Sequence, residues 1–479
     1  MEIRRVIKMQ SSRYIALLIA AILCAGCQAL ERESPIRIPS DREGEMVLFL
    51  QPMPQEATNL KFIIDQAFVL HSDGRRTPIP LNFTNIDGST LKKTQKQLAT
   101  MTLEPGLYSG IAIRIKQATR ATEKGDMDLL VPEAPIVAEQ AFEIRPGKIC
   151  ALFLSFGLPE TNRLGVRFTP LFTLKPAPQG IIDLTGYICD SQTNTLTVFD
   201  KKSMQVVDMI ATGREPKDIV IDAVRKRAYV AVSGDNRVEV VDLLKRDVVE
   251  NLRLSLDDQP LALALTPDGR TLVTVNNGSN SISIIDAPAL VETARIRVGE
   301  SPTAVVISPS GLKAFILNTR SSNLSVIDLA QKTLAVTIGL EGEPTRAAVN
   351  RDGSRLFVVS HNSPNLSIID LTSLTVTHKV FIGAGAGSIT VDTQTGLIYA
   401  GLAGPAEIVV IDPFALTPID SFFLEGQPGF MVIESQERNL FVILPEQRQL
   451  LKIDLISKRT SAGIAVDPGA NTVAFVEER

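Results

Sequence analysis

The heptapeptide NLSVIDL occupies Asn323–Leu329 and returns, almost unchanged, as NLSIIDL at Asn365–Leu371. The two copies begin 42 residues apart. In both copies an alternating run of strand length precedes the aspartate, which is typical of a β-strand. A near-repeat at this distance indicates a chain that contains several copies of one supersecondary unit.

The repeat extends over the C-terminal part of the chain. The aspartate that ends the strand recurs at steps of 42 or 44 residues, at Asp200, Asp242, Asp286, Asp328, Asp370, Asp412 and Asp454. A second mark recurs in phase, at Pro216, Pro260, Pro302, Pro344 and Pro428, with Ala386 and Ala470 in the two remaining copies. After each mark come a short apolar run, a turn such as TPDGR (266–270) and, in most copies, a second apolar run. Each unit therefore holds four short strands, which at a period of about 40 to 45 residues is the signature of a β-propeller.

Seven such units fit the sequence, and their ends predict how the ring closes. The first unit, residues 187–213, lacks an innermost strand on its N-terminal side. The run NTVAFVEE at residues 471–478 is left over at the other end of the region. We therefore predict that the C-terminal strand completes the first blade and leaves no open sheet edge. The repeated aspartates are predicted to accept hydrogen bonds from the turns that follow them.

Three stretches resemble the motif of the YVTN-type β-propeller repeat family. They are LVTVNNGSNSISIID (272–286), VGESP (298–302) and TPDGR (266–270). The resemblance covers about residues 180–479 and implies the propeller fold. It implies no single function, because such propellers occur in surface-layer proteins, exported binding proteins and some enzymes.

Residues 45–178 hold a series of strand-like runs and no convincing amphipathic helix. They predict an antiparallel β-sandwich that ends near KPAPQG (175–180), with the propeller over residues 180–479. LEPGLYSGIAIRIKQA (103–118) and FEIRPGKICALFLSF (142–156) resemble a domain of unknown function from bacterial lipoproteins. That resemblance implies a sandwich in the cell envelope and brings no activity with it.

The N-terminus has the pattern of an export signal. The apolar run YIALLIAAIL (14–23) follows a positive stretch and is shorter than a membrane-spanning helix, which needs about 20 residues. LCAGC (23–27) resembles a lipoprotein cleavage site, which implies that residues 1–26 are removed and that Cys27 carries acyl chains such as palmitate. The resemblance further implies that residues 27–44 form a tether to a bacterial membrane, and Gln28 after the cysteine favours the outer membrane over the inner one. The alternative is an ordinary secretory signal that is cut nearby.

The composition and the small number of histidines and cysteines limit the reactions and ligands that can be expected of this chain. The pI near 5.7 and the lack of a Lys/Arg cluster predict no nucleic-acid partner. His71, His361 and His378 are the only histidines, without metal-ligand spacing, so no metal and no cofactor are predicted. Cys150 and Cys189 form either a disulfide between the two domains or two buried free thiols, and strands of different domains rarely meet the geometry of a disulfide.

The predicted innermost strands are poor in catalytic side chains. Only Lys217, Asp218 and Arg346 lie near one end of the channel that these strands would line. General acid–base chemistry needs a positioned pair with tuned pKa values, so we predict that the protein is not an enzyme. The alternative is a hydrolase of the lactonase type with a cation in the channel.

The loops between blades are acidic. Arg214 is their only basic residue, and the acids are Glu215, Asp257, Asp258, Glu300, Glu341, Glu343, Glu425 and Asp467. Such acids at one channel mouth would focus a negative potential that attracts a cation or a basic partner, unless they are simply solvated turn residues. The sequence thus predicts a monomeric, membrane-anchored envelope lipoprotein whose propeller binds a protein, a peptide or a surface polymer. A third possibility is a structural component of a surface layer or an adhesion protein, which differs from a binding module mainly in the partner that it contacts.

Overall fold

The computed structural model describes residues 42–158, 166–178, 182–434 and 436–476. The predicted signal peptide, Cys27 and all but the last residues of the predicted tether lie outside these ranges. The described chain is all β, as predicted, and its helical segments are short 3₁₀ turns at Gln55–Ala57, Ile182–Leu184 and Ser233–Asp235. Within the described chain, no helix has the length and apolar character to span a bilayer.

The N-terminal part forms two sheets. Its strands, as far as the structure describes the chain, are β1 (Gly44–Leu50), β2 (Leu60–His71), β3 (Arg76–Pro78), β4 (Asn85–Asp87), β5 (Lys96–Leu103), β6 (Gly106–Thr122), β7 (Gly125–Leu129), β8 (Ile136–Ile144), β9 (Ile149–Gly157) and β10 (Leu171–Pro176). One sheet has the order β10-β9-β1-β5. The other has the order β3-β2-β6-β7, with β4 also paired to β2 and β8 to β6.

The two sheets bury their facing sides in one hydrophobic core. Leu48 of β1 and Leu152 of β9 belong to this core together with Ile111 of β6. The ring of Phe62 on β2 stacks on that of Phe156 on β9, with 5.4 Å between the ring centroids. Face-to-face burial of this kind is what stabilises a two-layer β-domain.

The prediction that this domain is wholly antiparallel is wrong at one pair of strands. β1 and β9 run parallel, with Glu45 opposite Ile149 and Leu50 opposite Leu154. Parallel neighbours need a long crossover, and all the strands from β2 to β8 lie between these two in the sequence. The chain therefore has ample length to return in the same direction.

β1 and β9 are buried on both faces. Val47, Phe49 and Phe153 point away from the domain core and pack against the C-terminal part of the protein. Strands covered on both sides have continuous apolar runs rather than alternation, as MVLFL (46–50) and ALFL (151–154) do.

The C-terminal part consists of twenty-eight described strands. In chain order they are β11 (Thr185–Asp190), β12 (Thr195–Asp200), β13 (Gln205–Ala211), β14 (Pro216–Asp222), β15 (Arg227–Val232), β16 (Arg237–Asp242), β17 (Asp247–Arg253), β18 (Pro260–Leu265), β19 (Thr271–Asn276), β20 (Ser281–Asp286), β21 (Val291–Arg297), β22 (Pro302–Ile307), β23 (Lys313–Asn318), β24 (Asn323–Asp328), β25 (Thr333–Gly339), β26 (Pro344–Val349), β27 (Arg355–Ser360), β28 (Asn365–Asp370), β29 (Thr375–Phe381), β30 (Ala386–Val391), β31 (Ile398–Leu402), β32 (Glu407–Asp412), β33 (Thr417–Phe423), β34 (Phe430–Glu434), β35 (Asn439–Leu444), β36 (Gln449–Asp454), β37 (Arg459–Ala465) and β38 (Ala470–Phe475).

These strands form four-stranded antiparallel sheets. We number them I to VII: sheet I has the order β13-β12-β11-β38, and sheets II to VII contain β14–β17, β18–β21, β22–β25, β26–β29, β30–β33 and β34–β37. The first strand of each of sheets II to VII contacts the first strand of the next, and β38 of sheet I contacts both β14 and β34. Four-stranded sheets that meet in this way are the architecture of a β-propeller.

A hydrophobic cluster fills each gap between consecutive sheets. For example, Tyr187 of sheet I packs with Val230 of sheet II, and Phe441 of sheet VII packs with Phe475 of sheet I. The run predicted at residues 471–478 is observed as β38, which pairs antiparallel with β11, Gly186 lying opposite Phe475. The last strand of the described chain therefore joins the first sheet, as predicted.

The repeated aspartates have the structural role that the sequence predicted. Oδ1 of Asp370, for instance, accepts the backbone N–H groups of Thr372 at 3.0 Å and Ser373 at 2.7 Å. Leu374 follows with a φ of 56°, which completes the turn. The other six aspartates accept N–H groups in the same turn of their own sheets.

The N-terminal part docks where sheets I and VII meet. Phe49 and Phe153 share a hydrophobic cluster with Phe199 of sheet I and Phe441 of sheet VII. The side-chain amide of Gln95 donates to the carbonyl of Val206 on β13 at 3.0 Å and accepts its N–H at 2.8 Å. An amide side chain thus occupies part of the exposed edge of sheet I as a neighbouring strand would.

Candidate functional site

The seven first strands line a central channel in three layers. Half-buried residues one position after the Pro or Ala mark form the mouth: Lys217, Leu261, Thr303, Thr345, Gly387 and Asn471, with the exposed Gly429. Three positions deeper, a half-buried layer consists of Val220, Ala264, Val306, Ala348, Thr390, Val432 and Ala474. The layer at the mouth therefore mixes polar and apolar residues, and the deeper layer is apolar except for Thr390.

Between these layers lie two opposite charges. Asp218 of sheet II and Arg346 of sheet V occupy the same register position and are both half-buried. Oδ1 of Asp218 accepts the N–H of Ile219 at 2.9 Å, and Oδ2 accepts the N–H of Leu263, on the next sheet, at 2.8 Å. Burial raises the pKa of Asp218 to about 6, partly offset by these N–H groups and by the charge of Arg346.

The guanidinium of Arg346 has few hydrogen-bond partners among the described residues. Nη1 donates to the carbonyl of Thr345 at 3.2 Å, and among the described residues no carboxylate lies within ion-pair distance. Burial lowers the pKa of the guanidinium, and the charge of Asp218 raises it. Sheets II and V are not neighbours in the ring, so the interaction between the two charges crosses the space that the innermost strands enclose.

The predicted acidic rim is wrong for Asp258. This carboxylate is fully buried, its Oδ1 accepts from Nη1 of Arg295 at 2.6 Å, and its Oδ2 accepts the N–H of Ser255 at 2.8 Å. Arg295 lies on the outer strand β21, so the pair holds a loop against its own sheet. Asp258 is therefore a structural residue and contributes little to any field at the mouth.

Two further rim acids are ion-paired. Oε2 of Glu215 lies 3.3 Å from Nζ of Lys217, and Oε2 of Glu341 lies 2.7 Å from Nζ of Lys379. Asp257, Glu300 and Glu343 are exposed on the loops, and Glu425 and Asp467 line the groove described below. The acids are thus spread over the face and partly neutralised rather than gathered at the channel.

No metal-ligand cluster and no disulfide links the described residues. Within the described ranges, no group of three or more His, Cys, Asp or Glu is placed to hold a metal ion. Cys150 and Cys189 are free thiols. Burial raises the pKa of Cys150 to about 11 and raises that of Cys189 as well, so both thiols are poor nucleophiles near neutral pH.

A groove of about 950 Å³ lies between the N-terminal domain and the propeller. The domain contributes Phe83 and the segment 94–97, and the propeller contributes Met204 and Met209 of sheet I, residues 458–467 of sheet VII and the segment 423–425. The walls mix polar and apolar groups in about equal share; Met204 and Met209 are almost wholly buried, whereas the ring of Phe423 is exposed.

One wall of the groove is a free strand edge. β37 is the last strand in the order of sheet VII, and all of its residues line the groove. Ser461 and Gly463 leave room there, since the equivalent positions on β33 carry Ile419 and Ser421. An exposed edge offers a row of unpaired N–H and C=O groups to an added strand.

Sequence reasoning missed the groove and understated the charged pair. The sequence indicates only that Asp218 and Arg346 lie near one end of the channel, because the two residues are far apart along the chain and their interaction depends on the fold. The one available signal for the groove was the small side chains of RTSAGIA (459–465), where other outer strands carry larger ones.

The fold defines a β-propeller with an added N-terminal domain. Residues 182–477 match the model of a family described as the YNCE-like beta-propeller. The chain belongs to this family. No curated protein matches the chain.

Solved structures resemble the chain in fold alone. A functionally unknown protein from Desulfotomaculum acetoxidans aligns with a TM-score of 0.54 at 16% identity, over 61% of this chain and 98% of its own. The dihydro-heme d1 dehydrogenase NirN, solved in complex with DHE, aligns with a TM-score of 0.50 at 14% identity, over 67% of this chain and 78% of its own. Kuenenia stuttgartiensis hydrazine synthase aligns with a TM-score of 0.48 at 15% identity, over 65% of this chain and 99% of its own.

Proposed function

We propose that the protein is a lipid-anchored, non-catalytic binding module of the bacterial envelope that captures an extended segment of a protein or peptide. Sheets I to VII are taken as the seven blades of one closed propeller over residues 180–479, and residues 45–178 as a β-sandwich. The sandwich is fixed on the seam between the first and last blades, which makes the groove a preformed cleft. The observation that carries the proposal is this groove with the free edge of β37 as its wall.

The two ends of the groove carry opposite charges. Lys458 and Arg459 lie where β37 begins, and Asp467 lies two residues beyond its end, with Glu425 in the corresponding loop of the preceding sheet. A peptide with a basic N-terminal part at the second end would run antiparallel to β37. Backbone pairing then supplies affinity, and the exposed ring of Phe423 contacts its apolar side chains.

Filling the groove tests the binding role. Ala465→Trp places a large side chain at an exposed position of β37, and Ala335→Trp does the same on the outer strand β25, far from the groove. We expect that the partner that is cross-linked to the wild type in intact envelopes is no longer cross-linked to Ala465→Trp and is still cross-linked to Ala335→Trp. Equal recovery from both variants would contradict the groove as the binding site.

The lipid anchor is tested separately. Cys27→Ser removes the thiol at the predicted acylation position of the lipobox-like sequence LCAGC (23–27). We expect it to abolish incorporation of labelled palmitate and to move the protein from the membrane fraction to the soluble fraction. Palmitate labelling of the variant at the wild-type level would show that the signal has been misread.

A further inference from the structure

The charged layer of the channel has the composition of a ligand site. A guanidinium has five N–H donors, and Arg346 uses one of them, toward Thr345. The side chain is half-buried and has no ion-pair partner among the described residues, and a guanidinium cannot give up its proton to relieve the cost of partial desolvation. The remaining N–H donors of Arg346 can therefore bind an anion that enters between the innermost strands.

An anion that carries no positive group would be repelled by the carboxylate of Asp218 across the channel. That carboxylate already accepts two N–H groups, shares the register position of Arg346 and interacts with its charge. The hydroxyl of Ser388, at the same register position on sheet VI, is buried and has no partner within the described residues. The layer thus offers a cationic donor and an anionic acceptor at one depth, whereas the Ser388 hydroxyl lies against Gly401 within its own sheet.

We propose that this layer binds a small zwitterion, with its carboxylate on Arg346 and its ammonium group on Asp218. A ligand whose two charges oppose those of the site leaves no net charge in the channel, and both contacts are charge-assisted hydrogen bonds. The apolar layer below, which includes Val220, Val306 and Val432, receives the ligand's hydrocarbon part. The site is distinct from the groove and does not depend on it.

A series of ω-amino acids measures the span between the charges. Glycine, β-alanine, 4-aminobutyrate and 5-aminopentanoate are titrated by calorimetry into the intact protein, with acetate, methylamine and inorganic phosphate as single-charge probes. We expect one length to bind best, and acetate, methylamine and phosphate to bind at least tenfold more weakly. Failure of every amino acid to bind, or phosphate or acetate binding as tightly as the best amino acid, overturns the proposal.

Variants assign the contacts. Arg346→Gln and Asp218→Asn should each weaken the best ligand at least tenfold, while Arg351→Gln, an exposed arginine on the same sheet, should leave it unchanged. Arg346→Lys keeps the charge without the fork and should give an intermediate loss, which guards against a variant that merely misfolds. Wild-type affinity in Arg346→Gln with an unchanged melting temperature refutes the assignment.

The pH dependence gives a second readout. Asp218 is surrounded by Arg346 across the channel, Lys217 beside it, and Thr472 and Cys189 on sheet I. Protonation of its carboxyl group removes the partner of the ammonium group, so affinity for the zwitterion should fall as the pH drops below about 6. The affinity of Asp218→Asn should show no such step, and a step of the same size in that variant would count against the role of Asp218.

Discussion

Replacing Phe475 by alanine tests whether the C-terminal strand closes the propeller. The ring is 8% exposed and lies 4.6 Å from the ring of Phe441 on sheet VII, measured between centroids. It also lies 6.1 Å from the ring of Phe199, and a Cβ on Gly186 would come within 2.8 Å of it. The side chain therefore fills the seam between the last sheet and the first.

The expected loss follows from these contacts. Burying a phenylalanine contributes about 1.5–3 kcal/mol, and each aromatic pair adds about 0.5–1.5 kcal/mol. Because the surrounding rings collapse only partly into the space, we expect Phe475→Ala to lower the free energy of unfolding by about 4 kcal/mol. Phe414→Ala, whose ring is 88% exposed in a turn of sheet VI, should change it by less than about 0.5 kcal/mol.

The assay is urea unfolding followed by circular dichroism at 25 °C. The comparison requires a single transition with the same m-value in both variants and the wild type. A loss below about 1 kcal/mol for Phe475→Ala, or a loss equal to that of Phe414→Ala, would refute the closure of the ring by β38.

Three further predictions concern buried charges and thiols. The ammonium of Lys201 is 7% exposed and lies 3.1 Å from the carboxylate of Glu434. Glu434→Gln leaves this charge buried without its ion-pair partner, so the free energy of unfolding measured in urea should fall by about 3–5 kcal/mol; a fall of less than about 1 kcal/mol would show that water solvates the lysine. Because burial raises the pKa of Cys150 to about 11, its labelling by a thiol reagent in the native protein should stay slow at pH 8 and accelerate only above about pH 10; rapid labelling at pH 8 would contradict its burial. Burial raises the folded-state pKa of Asp218 from 3.8 to about 6, so the folded protein holds a proton that the unfolded chain has lost. As the pH rises from 4 to 6, the free energy of unfolding of the wild type should therefore fall relative to that of Asp218→Asn, by roughly 3 kcal/mol at most. If the difference in free energy between the two proteins stays constant over this range, the shift is refuted.

The repeat unit could be predicted because its causes are local. Each repeated aspartate bonds to N–H groups two or three residues ahead, as Asp370 does to Thr372 and Ser373, so the turn is visible in a short window of sequence. The alternation within NLSVID and NLSIID gives the strand, and the period gives the number of strands in each unit. Pairing of the last strand with the first sheet followed from counting strands, since an incomplete unit at one end and an extra strand at the other leave one arrangement in which every sheet has four strands.

Contacts between distant segments were decided by the tertiary structure. Asp258 looks like any acid in an exposed loop, and only the folded chain places Arg295 against it. The parallel pairing of β1 and β9 and the docking of Gln95 on β13 likewise depend on segments far apart in sequence.

The sequence by itself thus determined the repeating strands, their turns and the order of the sheets, because these depend on backbone geometry and on neighbours within a few residues. Only the tertiary structure decided which charges are buried, which acids are neutralised and where a cleft opens. Asp218 and Arg346 show the reason: Coulomb interactions and desolvation depend on distance through space and on exposure to water. Neither quantity is contained in the spacing of residues along the chain.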